Sequence, residues 1–329
     1  MKVAVFSARS YDREALDKAN AAHGHDLRYI EAALAPQTAA MAAACEGACI
    51  FVNDRADADT LQALSAQGVR LLALRCSGFN HVDVPAAQDL GLALTRVAEY
   101  SPYSVAEHTV ALLLALNRHL LQATRQTRSG NFALDGLIGS DLHGKTVGII
   151  GVGRIGSVLA RILQGFGCRI LANDVVHDPA FEAAGHRYVP LATLAAESDV
   201  ISLHCPLTDA TRHLIDARFL GHCKPGLLLV NTSRGAVLDT AAALQALDAG
   251  RIAGLALDVY EFEAGVFFED RSASAHQDPL LAALQQHPKV VLTGHQGFFT
   301  REAMHDIAES VLAQFSAFAR NMPLPGRVP

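Results

Sequence analysis

The 329-residue sequence has no long hydrophobic run, no basic excess and no paired-cysteine motif. Each absence excludes a class of protein. The longest apolar stretch, Thr109 to Leu116, falls well short of the roughly 18 residues that signal a membrane span. Acidic side chains number 33 against 27 basic ones, for a formal charge of -6. Nothing therefore draws the chain toward nucleic acid or an anionic membrane surface. The six cysteines, Cys45, Cys49, Cys76, Cys168, Cys205 and Cys223, include no CxxC pair, and no His/Cys grouping has zinc-ligand spacing, so no metal is expected. Reduced thiols in a cytoplasmic protein are the expectation. No Pro/Gly/Ser-rich linker or low-complexity segment interrupts the chain. The opening Met1–Phe6 reads as a strand rather than a signal peptide, because its apolar run is brief and Arg9, Asp12 and Arg13 come soon after it.

What is present suits a globular α/β chain. Half the residues are hydrophobic and 18% are charged, which supports sizeable cores and argues against disorder. The length suggests about two domains at roughly 150 residues each. Short apolar runs read as strands at Val3–Phe6, Leu27–Ile30, Ile50–Val52, Leu71–Leu74 and Leu92–Val97. Helical patterns at Asp12–His23 and Asp59–Gln67 alternate with them, and the Ala-rich Ala32–Ala48 reads as loop plus short helix. Ser104 to Arg128 reads as one long helix. A second series follows, with strands at Thr146–Ile150, Arg169–Ala172, Val200–Leu203, Leu227–Val230, Leu255–Asp258 and Val290–Thr293. Its helices are expected at Ile155–Phe166, Leu191–Glu197, Thr240–Ala249 and Glu302–Arg320. Such alternation predicts parallel sheets covered on both faces.

Gly151-Val152-Gly153-Arg154-Ile155-Gly156 follows a strand pattern and opens a helix pattern. In that context the first glycine serves the tight turn, the second lets a pyrophosphate approach the backbone, and the third allows close helix packing. The helix N-terminus supplies free N–H groups for the phosphates. Asp174 ends the next strand, about 20 residues on, where an acid accepts from the ribose hydroxyls and repels a 2′-phosphate. Val175, Val176 and His177 follow it directly, with no arginine among them to welcome that phosphate. The pattern favours NAD over NADP.

Three polar residues fall just past later strands: Arg234, Glu263 and His295. Ligands bind at that edge of open α/β sheets. Singly, each has an ordinary reading as a solvated or structural residue. Beside a nicotinamide site they make chemical sense together. Reducing a 2-keto acid needs a cation for the carboxylate, a proton for the carbonyl oxygen, and a hydride. Arginine offers bidentate carboxylate geometry. Histidine gives and takes protons near neutral pH, and a neighbouring carboxylate orients it. The cysteines lack an evident base partner and read as small core residues.

These residues, with Phe51-Val52-Asn53-Asp54, Leu74 to Asp83, Tyr100-Ser101-Pro102, Ala106-Glu107-His108, Ser202 to Thr208, Asn231 to Gly235, Asp258 to Glu263 and Phe267-Phe268-Glu269-Asp270, make the chain resemble a family. It is the D-isomer-specific 2-hydroxyacid dehydrogenases, and most closely their bacterial fermentative D-lactate branch. The resemblance implies two Rossmann-like, doubly wound parallel-sheet domains. The NAD domain, residues 100–296, would be inserted into a flavodoxin-like substrate domain of residues 1–99 and 297–329. It further implies that Arg234 grips the substrate, His295 donates the proton and Glu263 partners it. Ser77 and Gly78 would offer N–H groups to the carboxylate, and Phe51, Tyr100 and Phe298 would line a small pocket. Besides the glycines, Arg154, Ile155 and Asp174, the implied NAD-binding residues are Cys205, Pro206, Thr232, Ser233 and Asp258. The implied reaction is reversible reduction of pyruvate to D-lactate in a cytoplasmic homodimer or homotetramer, its subunits joined through the NAD lobes. The helix Ser104–Arg128 is the candidate contact.

Two segments depart from the family pattern. Val97-Ala98-Glu99-Tyr100 has alanine where proline is usual, and Gln296-Gly297-Phe298 has glycine for alanine, which would loosen the presentation of Phe298. Rival readings remain. A larger 2-keto acid such as phenylpyruvate, 2-ketoisocaproate or hydroxypyruvate could be the substrate, although the stretch Phe262 to Asp278 looks lactate-type. Formate dehydrogenases of the superfamily carry glutamine in place of Glu263. Phosphoglycerate dehydrogenases often add a C-terminal regulatory domain, for which the stretch after Thr300 has no room. A non-enzymatic NAD-sensing corepressor is a remote alternative on fold analogy, and the full Arg/Glu/His set speaks against it.

Overall fold

The computed structural model describes residues 1–272 and 278–328. It divides into two compact units, Met1–Ser101 with Phe299–Pro329, and Pro102–Phe298.

The first unit holds strands β1 (Lys2–Val5), β2 (Asp26–Tyr29), β3 (Gly47–Ile50), β4 (Leu71–Leu74) and β5 (Ala93–Arg96). They form one parallel sheet in the order β2-β1-β3-β4-β5, the flavodoxin-like order. β3 and β4 are buried throughout, so both read as continuous apolar runs with no polar face. Leu61, Leu64, Leu72 and Leu74 pack together on one side. The helix Arg301–Ala319 closes the sheet elsewhere, with Phe315 fully buried. A Cβ on Gly47 would stand 2.5 Å from the Phe315 ring. β3 begins at Gly47, ahead of the expected Ile50–Val52, because its backbone already pairs there with Val3 of β1 and Leu71 of β4. Within the expected loop-plus-helix of Ala32–Ala48, a single 3-10 turn at Ala39–Ala42 forms and the strand has started by Gly47.

The second unit holds β6 (Thr146–Ile150), β7 (Arg169–Asn173), β8 (Arg187–Tyr188), β9 (Val200–Leu203), β10 (Leu227–Asn231), β11 (Ile252–Leu257) and β12 (Val290–Leu292). Their order is β12-β11-β10-β9-β6-β7-β8, all parallel. From β6 the chain runs outward through β7 and β8, then returns to the far side of β6 with β9. The direction of winding therefore reverses between β6 and β9, a topological switch point. Period-two alternation sends Leu227 and Leu229 into one core and Leu228 and Val230 toward the other. Gly148 faces the helix Leu191–Glu197, where a Cβ would meet Leu194 at 2.6 Å.

The expected single helix Ser104–Arg128 is two helices. Pro102–Asn117 is largely buried, and Leu120–Arg128 has no buried residue. The break falls at His119, which takes a left-handed φ of 50° and ends the run of helical hydrogen bonds. Apolar spacing continues across the break, so periodicity alone joins the halves. Four short helices, Val84–Asp89, Pro179–Ala183, Ala217–His222 and Pro279–Gln286, stand outside the expected set. Each begins at an aspartate N-cap, Asp83, Asp178, Asp216 or Asp278, whose side chain accepts a first-turn N–H. Part of the lactate-type stretch, residues 273–277, lies outside the described residues. Among the described residues no helix is long and apolar enough to cross a membrane.

Candidate active site

The carboxyl edge of the seven-stranded sheet gathers most of the expected residues. After β6 comes the glycine turn. Gly151 has φ 92°, and a Cβ there would stand 2.5 Å from the Cys205 nitrogen after β9. The two loops flanking the switch point therefore touch, and only glycine permits it. A Cβ on Gly156 would lie 2.3 Å from the Gly151 carbonyl, so the helix Arg154–Gly165 packs against the turn. Gly153, by contrast, is exposed and its missing Cβ would meet nothing within 4 Å. The open space lies at the N-terminus of a 12-residue helix, as a pyrophosphate requires. Asp174, beyond β7, turns its carboxylate onto this loop: Oδ2 accepts from the Val152 N–H at 2.6 Å and Oδ1 from Val176 at 3.1 Å. The donor set and the open cradle fit a dinucleotide.

Cys205 is buried, and burial pushes its thiol up to about 11. It is a protonated wall rather than a nucleophile. Pro206 follows it, exposed. Thr232, past β10, shares a 2.8 Å hydrogen bond with Thr109, and Ser233 donates through both N–H and Oγ to Asn231 Oδ1. All six cysteines are free, and five are buried.

The chemistry-bearing side chains stand beyond three adjacent strands. Arg234 follows β10, Glu263 follows β11 and His295 follows β12. Glu263 and His295 meet: His295 Nδ1 lies 2.8 Å from Glu263 Oε1. The imidazole is 18% exposed and the carboxylate 23%. The other Glu263 oxygen accepts from the Tyr260 N–H at 3.1 Å, which fixes the carboxylate. Phe268 packs its ring beside the imidazole, 5.5 Å between centroids. Arg234 donates to the Ser233 carbonyl, its own carbonyl accepts from Asn231, and no carboxylate among the described residues pairs with its guanidinium. Gly235 lets this loop press on the next one, since a Cβ would fall 2.0 Å from the Tyr260 carbonyl carbon.

Asp258 supports the whole edge. It is 1% exposed. Burial raises its carboxyl, but His108, Thr293 and the N–H groups of Gln296 and Gly297 together hold it below the usual carboxylate range. Oδ1 takes Thr293 Oγ1 at 2.6 Å and the Gln296 N–H at 2.9 Å, with His108 Nε2 3.3 Å away. Oδ2 takes the Gly297 N–H at 2.8 Å. The Asp258 carbonyl accepts from the His295 N–H at 2.7 Å. His295 has a left-handed φ of 56°, a strained state that needs such over-determination. Gly297 is thus pinned, not loosened: a Cβ would press to 2.9 Å from Asp258 Oδ2. His108 and Thr293 are site residues that sequence patterns leave unassigned. The available signal is the place of His108 within Ala106-Glu107-His108, which says nothing of partners as distant along the chain as Asp258 and Thr293.

Ser77, Gly78, Phe51 and Tyr100 belong to the first unit. Ser77 and Gly78 are half-buried in a loop after β4, where Arg96 donates to the Ser77 carbonyl at 2.9 Å and Cys76 Sγ lies 3.2 Å from the Gly78 carbonyl. Phe51 is buried and Tyr100 half-buried. Phe298 ends the second unit. A cavity of about 430 Å³ opens at the opposite, amino-terminal edge of the seven-stranded sheet, among Arg125, Lys145, Asp199 and Lys289. It touches none of the residues above, so the site is identified by its chemistry and not by cavity size. Among the described residues no cluster of His, Cys, Asp and Glu could hold a metal ion.

A doubly wound domain with a glycine turn at its switch point and a His–Glu pair farther along the same carboxyl edge fits a nucleotide-dependent oxidoreductase. Residues 110–297 match the family described as D-isomer specific 2-hydroxyacid dehydrogenase, NAD binding domain. D-lactate dehydrogenase of Escherichia coli is 44% identical over 328 residues, spanning 100% of both chains. A 2-hydroxyacid dehydrogenase homolog of Haemophilus influenzae is 46% identical over 95% of each. Among solved structures, that of the pyruvate reductase of Chlamydomonas reinhardtii superposes with a TM-score of 0.94 at 40% identity, covering 98% of both chains. D-lactate dehydrogenase with NAD+ from Lactobacillus jensenii superposes with a TM-score of 0.85 at 30% identity, covering 100% of both chains. The chain belongs to the D-isomer-specific 2-hydroxyacid dehydrogenase family, and its second unit is an NAD-binding domain.

Proposed function

We propose that the protein is an NAD-dependent D-lactate dehydrogenase that reversibly reduces pyruvate. The observation that carries this reading is the 2.8 Å contact between His295 Nδ1 and Glu263 Oε1, on the carboxyl edge of the sheet that also carries the glycine turn. With Nδ1 committed to the carboxylate, Nε2 is the nitrogen left to deliver a proton to the keto oxygen. Glu263 also offsets the charge of the imidazolium, so the acid is held ready and oriented. Arg234, with no carboxylate partner among the described residues, holds the substrate carboxylate in bidentate fashion. The Gly151–Gly156 turn and Asp174 would hold NADH, which would supply the hydride. By the family resemblance, Cys205, Pro206, Thr232 and Ser233 would line its nicotinamide end. Similarity to the Escherichia coli D-lactate dehydrogenase favours pyruvate. Ser77, Gly78, Phe51, Tyr100 and Phe298 enter as substrate residues through the family resemblance.

We further assign the enzyme to the cytoplasm, in keeping with six free cysteines, and to a homodimer or homotetramer. Exposed Leu120, Leu121, Phe132, Leu134 and Ile138 cluster within one short segment of the NAD unit, and a second copy of the chain is the partner that would cover them. The decisive assay supplies purified protein and NADH with pyruvate, phenylpyruvate, 2-ketoisocaproate and hydroxypyruvate. The highest kcat/KM is expected for pyruvate with D-lactate as product. A clear preference for a bulkier acid would move the enzyme to another 2-hydroxy acid of the same family.

A further inference from the structure

The first unit buries a charge network that the reaction chemistry does not use. Asp54, 2% exposed, lies in the turn after β3. Its Oδ2 accepts from the Phe51 N–H at 2.6 Å, and its Oδ1 accepts from Ser7 Oγ at 2.7 Å and the Leu34 N–H at 2.6 Å. Arg75, 3% exposed, is the first residue after β4. Its N–H donates to the Ile50 carbonyl at 2.9 Å. Its guanidinium donates through Nε to Asp12 Oδ1 at 3.2 Å and through Nη2 to the Ser7 carbonyl at 2.9 Å. The Arg75 Cζ stands 4.9 Å from the centroid of the Phe51 ring.

Two residues are therefore gripped from both sides. Phe51 has its amide on Asp54 and its ring on Arg75. Ser7 gives its hydroxyl to Asp54 and its carbonyl to Arg75, and it holds a left-handed φ of 51°. We infer that Asp54 and Arg75 are positioning residues that lock the Phe51 ring, and that this lock sets how small a 2-keto acid the enzyme prefers. The inference rests on the reading of Phe51 as a substrate-pocket residue.

Energetics favour a positional role over simple packing. A buried guanidinium costs several kcal/mol of desolvation, which apolar packing would avoid. What the cation offers in return is direction. It faces an aromatic ring, and its hydrogen bonds tie that ring to Asp12 in the helix Ser10–Asn20 and to the Ser7 carbonyl just past β1. Arg75 also leads directly into Cys76-Ser77-Gly78, so the residue under the ring anchors the loop assigned to the substrate carboxylate. Neither Asp54 nor Arg75 need touch the substrate.

The test compares Arg75→Met, Arg75→Lys and Asp54→Asn with wild type, by kcat/KM for pyruvate and for phenylpyruvate. Arg75→Met and Asp54→Asn are expected to lower the pyruvate-over-phenylpyruvate ratio by about tenfold, the scale of pocket-shape discrimination. KM for pyruvate should rise more than kcat falls, and NADH affinity should stay within about twofold. Arg75→Lys, which keeps the cation, should retain more of the ratio than Arg75→Met. If both substrates lose activity in equal proportion, the network is scaffold only and the inference falls. Should these variants fail to fold, Ser7→Ala removes one hydrogen bond and no charge, and a smaller shift of the same sign is expected; an unchanged ratio there also overturns it. Amide exchange gives an arm independent of turnover. Asp54→Asn or Ser7→Ala should speed exchange at residues 51 and 77–78, and unchanged exchange would deny the lock. A wild type that reduces no 2-keto acid would overturn the functional reading and the selectivity claim with it, while the exchange arm would still decide the lock.

Discussion

At the residue scale the site depends on a few atoms held in costly positions. His295 sits in a left-handed backbone conformation because the Asp258 carbonyl and carboxylate bind three successive N–H groups around it. Its side chain then reaches Glu263. Replacing His295 with asparagine removes the proton donor, and pyruvate reduction should fall by about 10² to 10⁴-fold, the usual contribution of a positioned general acid. NADH affinity, measured by fluorescence titration, should hardly change. Near wild-type turnover would show that another group delivers the proton. Glu263→Gln keeps an acceptor for Nδ1 but removes the charge. Charge-assisted hydrogen bonds exceed neutral ones by about 1 kcal/mol, so a loss of roughly fivefold in kcat is expected, with a smaller change in KM. Arg234, Glu263 and His295 were each legible as residues past strand ends. Their ordinary readings could be set aside only because the same chain carries a glycine turn with the right neighbours.

At the element scale the main difference from expectation is the break at His119. Apolar spacing runs unbroken through Leu120 and Leu121, so the pattern predicts one helix. The second half nonetheless leaves the core, and its apolar residues face outward: Phe132, Leu134 and Ile138 are 75%, 81% and 89% exposed. Sequence periodicity records which residues are apolar, not what covers them. If a second copy covers this segment, light scattering should give a multiple of 34.9 kDa for wild type. The double variant Phe132→Ser, Ile138→Ser should shift toward the monomer mass. An unchanged mass would place the contact elsewhere. The short helices escape sequence patterns for a related reason. Asp178-Pro179 and Asp278-Pro279 are sound start signals, but helices as short as Pro179–Ala183 and Pro279–Gln286 hold too few turns for a period to appear.

At the scale of the whole molecule, buried ionisable groups set the response to acid. Burial lowers His25 and His186 below their ordinary value and pushes His204 down to about 4. Each of these binds its proton more weakly in the folded state than in the unfolded one, so stability is full above about pH 6.5 and is lost as pH falls toward the folded value. A tenfold weakening of proton binding corresponds to about 1.4 kcal/mol, so His204 alone removes up to roughly 3 kcal/mol by about pH 4. Asp258 and Asp199, both held low by hydrogen bonds, continue the loss below that. Asp54 acts in the opposite sense, because burial raises it. The Tm should therefore drop between about pH 6.5 and 4, and a flat profile would contradict the lowering of His204, a half-buried imidazole. His204→Gln should flatten part of it. By itself, the sequence determined the parallel α/β class, the glycine turn, Asp174 and the identity of the polar residues past the strands. Those features are written in local periodicity and in residue types with few alternative uses. Only the tertiary structure decided that Glu263 and His295 meet, that His108 and Thr293 join Asp258 beneath them, and that Gly297 is pinned by that carboxylate. These contacts join segments as far apart as His108 and Thr293, 185 residues along the chain. Their geometry comes from strand order and loop packing, which no local pattern encodes.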